Sequence, residues 1–400
     1  MREWISANAP AGLAGLAPWN EPAADRGTGH EEALGARATA PYAQWERSLL
    51  QAGVVCPAWP RRYGGAALSA SEVLVLQEEC ARAGVPRIGR GTGELVVGPV
   101  LLAHGTEEQR ARLLPRILRG EDTYCQAYAE PSHGSDLASV ETRATVAGDE
   151  VVVTGHKSWV HGARRADVAL VLCRTDPGAA RHRGLSCVAV RLHGGNGTRL
   201  RPVRSADGTR DVCEVVFDGA RAPLRDVIGG VGGGWPTVMT AVAHQRTGRA
   251  AAAQLGFQAE FWDLVRDAQK AGRTRDPLVR DQLAWAYTQM TLLRWAAVDR
   301  PERGPAFGAS DPGGVVASLL RAEYHRRFGE IALGVTGAAG LVRPDPEGGT
   351  GETDGNCPQP GDRWQQLFLS ARGDTIGDGT SEVLRDIIAE RVLGLPKDRH

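Results

Sequence analysis

Asp378 stands between two glycines in Ile376-Gly-Asp-Gly-Thr380, just ahead of a helix predicted from about Ser381. A loop carboxylate there can accept a proton, and the same position is one where a helix N-terminus favours negative charge with no chemistry implied. Upstream, Tyr128-Ala-Glu-Pro-Ser-His-Gly-Ser-Asp136 sets Glu130 and Ser135 in a Pro/Gly turn, and Gly155-His-Lys-Ser-Trp159 follows it. Taken alone, Trp159 is an ordinary core aromatic after a strand. His161 is either a neutral histidine facing solvent or one tuned near neutral pH for proton transfer.

Sulfur and phosphate chemistry are not written here. Cys56, Cys80, Cys125, Cys173, Cys187, Cys213 and Cys357 are widely spaced and no two form CxxC, so they read as reduced core thiols and no metal is expected. There is no GxGxxG between a strand and a helix, no GxxxxGK[ST], no HExxH and no GxSxG. Any cofactor must be held by other loops.

The elements that must position these residues change period twice. Ser69 and Ser71 precede Val73, Leu74, Leu76, Cys80 and Ala81 at helical spacing, and Thr106-Glu-Glu-Gln109 is a capping box opening a helix to about Leu118, ended by Gly120. Pro57, Pro60 and Gly64-Gly65 mark the loop between helices. Ala144-Thr-Val-Ala, a turn at Gly148-Asp149 and Val151–Thr154 then read as a β-hairpin, with further strands at Val168–Cys173, Leu185–Leu192 and Val212–Phe217. Helical period returns over 236–268, 277–298 (Asp276 as N-cap), 314–335 and 381–393, with an exposed loop between Pro344 and Asp362. The expected fold is α+β: helical residues 1–124, a β-domain over 125–232 and helical residues 233–400.

At 400 residues the chain exceeds the roughly 250–300 that one core supports, which agrees with several domains. Lys+Arg and Asp+Glu balance at 47 each without a basic stripe, so nucleic acid is not an expected partner. No apolar run reaches the roughly 18–20 residues of a membrane span, and MREWISANAP lacks a signal layout, so the expected location is cytoplasmic.

Four segments resemble the acyl-CoA dehydrogenase family. They are Trp59-Pro-Arg-Arg-Tyr-Gly-Gly65 with Leu102-Ala-His-Gly-Thr-Glu-Glu-Gln109 and Leu114-Pro115; the 128–136 turn with Gly155–Trp159; Phe217-Asp-Gly-Ala-Arg-Ala-Pro223 with Gly233-Gly-Trp235 and Gln245-Arg246; and Asp374-Thr-Ile-Gly-Asp-Gly-Thr-Ser-Glu382 running to Ala389-Glu-Arg-Val-Leu-Gly-Leu-Pro396. The resemblance implies an N-terminal helical domain, a middle β-barrel or sandwich and a C-terminal four-helix bundle, binding FAD. It implies that a carboxylate removes the α-proton of an acyl thioester while the β-hydrogen leaves as hydride to the flavin, giving a 2-enoyl thioester. The acyl carrier is coenzyme A or an acyl carrier protein, the electron acceptor an electron-transfer flavoprotein or similar protein, and the assembly a homodimer, homotetramer or hetero-oligomer.

Carried over residue by residue, the resemblance puts Trp159 against the flavin ring. It gives Glu130 and Ser135 to the cofactor loop, with Ser135 also near the thioester, and Thr380 and Gly337 (in Gly337-Ala-Ala-Gly340) to FAD. His161 falls where a small hydroxyl residue usually lies near N5, and Ala129 replaces the usual Thr or Ser. The family's catalytic glutamate occupies one of two positions, which here are Asp378 and Gln245; Asp378 is therefore the expected base, with Gln245 and Arg246 beside the substrate. Aspartate is one methylene short, which the flanking glycines can offset by letting the backbone approach. The family's Arg-x-x-Phe-Gly contact to a neighbouring subunit is not recognisable around Arg273–Arg280. The departures leave three other readings open: a non-catalytic FAD-binding partner subunit, a flavin monooxygenase, and a thioester-binding scaffold without redox turnover.

Overall fold

The structure, a computed structural model, describes residues 1–10, 13, 39–298, 312–341 and 360–397. Helices form where the caps were written. Helix α1 is Arg2–Asn8 and α2 is Ala40–Gln51. Helix α3, Ala70–Ala83, starts on a reciprocal Ser69/Glu72 capping box and stops at left-handed Gly84. A π-turn over Gly93–Val97 leads into α4, Gly98–His104, and α5, Glu107–Arg119, carries the predicted Thr106/Gln109 box and ends at Gly120. Their apolar faces meet in one core with Trp45, Trp59, Leu101 and Leu114.

Eight strands follow: β1 Tyr124–Ala127, β2 Arg143–Ala147, β3 Glu150–His161, β4 Val168–Arg174, β5 Leu185–Arg191, β6 Thr198–Val203, β7 Val212–Pro223 and β8 Val227–Ile228. The β2–β3 hairpin has its turn where Gly148-Asp149 placed it, pairing Ala147 with Glu150. Short β1 and β8 and the largely exposed β6 carry little apolar alternation and went unpredicted. The sheet runs β6-β7-β3-β2-β4-β5-β8, with β1 parallel to β4. It is open rather than a closed barrel. Its β2–β4 joint is a single pair, Arg143 with Arg174, and there the sheet folds over so that β3 and β7 share an apolar layer with β4 and β5. The other face of β4 and β5, through Leu170, Leu172, Leu185 and Cys187, belongs to the N-terminal helical core. Every cysteine among the described residues is buried and outside any disulfide.

The C-terminal helices are α6 Gly234–Lys270, α7 Pro277–Val298, α8 Pro312–Thr336, α9 Pro360–Gly377 and α10 Ser381–Ile387. Gly234 is what lets α6 start against the sheet: a Cβ there would lie 2.5 Å from the Ser186 backbone nitrogen. The four long helices close a core of Phe257, Leu264, Leu283, Met290, Phe328, Ile331 and Trp364. The fourth bundle helix is thus α9, not the predicted 381–393 segment, which makes only α10 and a final π-turn over Ile388–Val392. Trp364, Leu367 and Ala371 supply the apolar face of α9 at helical spacing. Most of the loop predicted between Pro344 and Asp362 lies outside the described residues; its last three positions begin α9. Among the described residues no helix is long and apolar enough to cross a membrane.

Candidate active site

Helix α6 carries Gln245 and Arg246 a few turns in, α8 carries Arg321, and the turn between α9 and α10 carries Asp378. The bundle packs these three places together. Asp378 is 6% exposed. Its Oδ1 accepts a hydrogen bond from Gln245 Nε2 at 2.8 Å, its Oδ2 one from Arg321 Nη2 at 2.8 Å, and its backbone oxygen one from Arg246 Nε at 3.1 Å. Gly379 follows at φ +101°, with room set by Arg246: a Cβ there would be 3.1 Å from Nη2. Burial pulls the Arg246 guanidinium down from its ordinary range, opposed by Asp378 and reinforced by Arg391. The carboxylate therefore faces two side-chain donors of the bundle. Thr380, expected at the cofactor, caps α10, its Oγ1 accepting from Val383 N at 3.2 Å.

The two alternative base positions of the family, 378 and 245, are one place in this chain, a hydrogen bond apart. Only one of the two residues there can hold a proton. Neither Arg321 nor His325 stood out in the sequence. Arg321 Nη1 lies 3.5 Å from Asp374 Oδ1, and Asp374 Oδ2 meets His325 Nδ1 at 2.5 Å. A sequence signal existed: Arg321 and His325 stand four apart on an otherwise apolar buried face of α8, which calls for buried counter-charges.

At the sheet, the predicted cofactor residues surround a second buried charge. Lys157 is fully buried and donates to Glu130 Oε1 at 2.7 Å and Tyr128 O at 2.8 Å. Glu130 also accepts from the backbone N–H groups of Glu141 at 2.7 Å and Thr142 at 2.9 Å. Burial alone would raise its carboxyl, but Lys157 and these amides outweigh it and hold it below the usual carboxylate range. Glu130 thus anchors the turn from inside. Ser135 sits exposed on the outer side of that turn, where Asp136 takes Ser139 Oγ at 2.7 Å and an ion pair with Arg181.

Two residues past Lys157 the β3–β7 ladder slips, and Trp159 occupies the bulge at φ +57°. The residue is 63% exposed rather than in the core. A bulky residue held left-handed with its ring in solvent is a strained arrangement of the sort kept at ligand sites. Beside it, Ser158 N donates to Ala129 O at 3.0 Å, stitching bulge to turn, while the buried Ser158 hydroxyl finds no partner among the described residues. A flat aromatic surface with an unused hydroxyl on the adjoining residue fits a planar flavin. His161 is exposed and pairs with Val212 in the ladder. Gly337 adopts φ +62° just past the C-terminal end of α8, about 24 Å along the helix from Arg321.

The sequence matches the acyl-CoA dehydrogenase N-terminal domain over residues 23–121, the middle domain over 125–220 and the C-terminal domain over 232–393. It is 38% identical to the acyl-CoA dehydrogenase IpdE1 of Mycobacterium tuberculosis, covering 100% of this chain and 97% of that protein. It is 33% identical to FadE34 of the same organism over 90% of this chain and 47% of that one. Among solved structures, the Tcur3481–Tcur3483 steroid ACAD superposes with a TM-score of 0.78 at 31% identity, covering 99% of this chain and 98% of that one. The ChsE4–ChsE5 complex from Mycobacterium tuberculosis gives 0.73 at 25% identity, over 100% and 96%. With all three domains matched in order, this chain belongs to the acyl-CoA dehydrogenase family of flavin oxidoreductases, which act on CH–CH bonds.

Proposed function

We propose that this chain uses FAD to dehydrogenate a bulky, polycyclic acyl group carried on coenzyme A, with Asp378 as the base that takes the α-proton. The observation that carries the reading is the convergence of both candidate base positions on one carboxylate, Asp378, hydrogen-bonded to Gln245. Trp159, Ser158 and the Ala129–Asp136 turn would hold the flavin, with Ser135 on the turn's outer side toward the thioester. FAD, when bound, takes up the β-hydrogen and the electron pair. Gln245 and Arg321 orient the Asp378 carboxylate, Arg246 fixes the backbone beneath it, and burial keeps water from competing for the proton. The substrate class follows the steroid ACAD relative, and coenzyme A rather than an acyl carrier protein follows the family's named members.

One observation favours a second reading. Both Asp378 oxygens already accept hydrogen bonds, from Gln245 and Arg321, as a structural carboxylate's would. Two of the solved relatives are pairs of different chains, so this chain would then be a partner subunit whose sister supplies the base. The purified chain mixed anaerobically with straight-chain and steroid-derived acyl-CoA thioesters separates the two. Bleaching of the flavin by the chain alone, lost by roughly 10²- to 10⁴-fold in Asp378→Asn with FAD retained, supports the base. Normal bleaching in Asp378→Asn excludes it, and flavin that bleaches only when a second chain is added supports the partner subunit.

A further inference from the structure

The bundle holds more charge than proton abstraction uses. Below Asp378 a buried chain of ionisable groups crosses three helices: Arg321 and His325 on α8, Asp374 on α9 and Glu260 on α6. His325 is fully buried, its Nδ1 on Asp374 Oδ2 at 2.5 Å and its Nε2 facing Glu260 Oε2 at 3.3 Å, off the angle of a hydrogen bond. Arg321 has two carboxylates within reach and divides itself unequally, 2.8 Å from Asp378 and 3.5 Å from Asp374. Its two outer nitrogens carry these contacts, Nη2 to Asp378 and Nη1 to Asp374, and its Nε has no partner among the described residues. Asp374 and Asp378 thus compete for one guanidinium, and His325 is the second cation that touches Asp374.

We infer that His325 is a positioning residue for the base: by taking up the charge of Asp374 it leaves Arg321 to Asp378 and so keeps that carboxylate aimed. The inference rests on Asp378 serving as the base. Burial works against a charged imidazole here, but Glu260 and Asp374, the two carboxylates on either side of its ring, outweigh it and hold His325 above its ordinary pKa, which favours the cationic form. Among the described residues the charged groups facing it are Glu260 from α6, Asp374 from α9 and, one turn before it on α8, Arg321. When His325 loses its proton, the cation 2.5 Å from Asp374 is gone, and the pull of Asp374 on Arg321, 3.5 Å away, grows at the expense of Asp378.

The test is a rescue. Flavin reduction by an acyl-CoA substrate is followed by stopped flow from about pH 6 to pH 9, starting below the ordinary histidine value of about 6.5 and running upward from it. Wild type should lose rate on an alkaline limb. His325→Gln should be slower at every pH by roughly 10- to 100-fold, as expected for a reacting group misplaced by about 1 Å, with unchanged KM and FAD content and no limb. Adding Asp374→Asn removes the competitor for Arg321 and should restore the rate to within roughly threefold, a coupling that a packing defect would not show. Should His325→Gln fail to fold, Glu260→Gln reads the same device: with one carboxylate fewer on the imidazole, the alkaline limb should move to lower pH.

A His325→Gln variant with wild-type rate and limb overturns the inference, as does a double variant no faster than the single, or a limb that Glu260→Gln does not move. Asp378→Asn is run beside them. If it reduces flavin normally, the assignment of the base fails and takes this role for His325 with it. If it is inactive while the histidine series is flat, only the role of His325 fails. Thermal melting of the FAD-free chain reads the ion cluster apart from turnover: His325→Gln should abolish a loss of stability at alkaline pH.

Discussion

Two buried ion clusters, one in the sheet and one in the bundle, are built on opposite plans. In the sheet, Lys157 and Glu130 form a closed pair. The carboxylate takes the ammonium and two backbone N–H groups, all at 2.7–2.9 Å, and the ammonium's second contact is a carbonyl at 2.8 Å. In the bundle, one guanidinium is shared at unequal distances between Asp378 and Asp374, and the histidine that neutralises Asp374 faces its other carboxylate off-angle. A fully satisfied cluster has one arrangement and rigidifies what it touches; a shared one has a second arrangement nearby. The sheet cluster sits under the strained turn and bulge proposed to hold a flat cofactor. The bundle cluster sits under the residue proposed to move a proton.

The largest effect expected from breaking this contrast is in the sheet. Lys157→Met leaves Glu130 buried and charged without its cation, which costs about 3–5 kcal/mol when one partner of a buried pair is removed. The double variant Lys157→Met, Glu130→Gln removes both charges and should recover part of that loss, since the neutral amide oxygen can still accept from one of the two N–H groups that Glu130 Oε2 and Oε1 take from residues 141 and 142, while the other N–H loses its acceptor. Urea midpoints measure both. A single variant within about 1 kcal/mol of wild type would mean that the pair is not the closed lock its geometry describes.

The same contrast explains what was legible in the sequence. Local features were: the Thr106/Gln109 box, the helix start after Ser69, the Gly148-Asp149 turn and the Asp276 cap each act within four residues, and each appears where it was written. The 128–136 stretch reads locally as no more than a Pro/Gly turn and Asp378 as no more than a loop carboxylate; the resemblance to the family is what singles them out. The partners were not legible. Arg321 meets Asp378 across 57 residues and Gln245 meets it across 133, distances over which spacing carries no information. Trp159 shows both halves of the rule. Its type was readable, but its left-handed bulge depends on β7, a strand more than fifty residues away, so a core aromatic was as good a local reading.

Opposite plans should fail at opposite ends of the pH scale. Glu130 is held below the ordinary carboxylate range, so its share of stability is present above that range and is lost as acid protonates it in the folded chain. His325 is held above the ordinary histidine value of about 6.5, so its share is full below that value and is lost as pH rises through its raised pKa. Stability against pH should therefore show one acid arm and one alkaline arm from these groups. Glu130→Gln should flatten the first and His325→Gln the second. Flattening of the opposite arm in either variant would dissolve the distinction between the clusters.

The smallest effect probes what the rigid cluster holds in place. Trp159 is fixed at φ +57° by the slipped ladder, with Lys157 anchored on one side and Ser158 N bonded to Ala129 O. At an ordinary strand position alanine is more stable than glycine by roughly 0.5–1 kcal/mol, because glycine loses more backbone freedom. At a left-handed position the order inverts, since only glycine enters that region without strain. Trp159→Gly should therefore be more stable than Trp159→Ala by about 1 kcal/mol in FAD-free chain, although both lose the same ring. Both should retain FAD poorly and equally, because what they lack is the exposed aromatic face and not the bulge. If alanine is the more stable, the bulge relaxes once the indole is gone, and the strain belongs to the side chain rather than to the sheet that Lys157 and Glu130 lock.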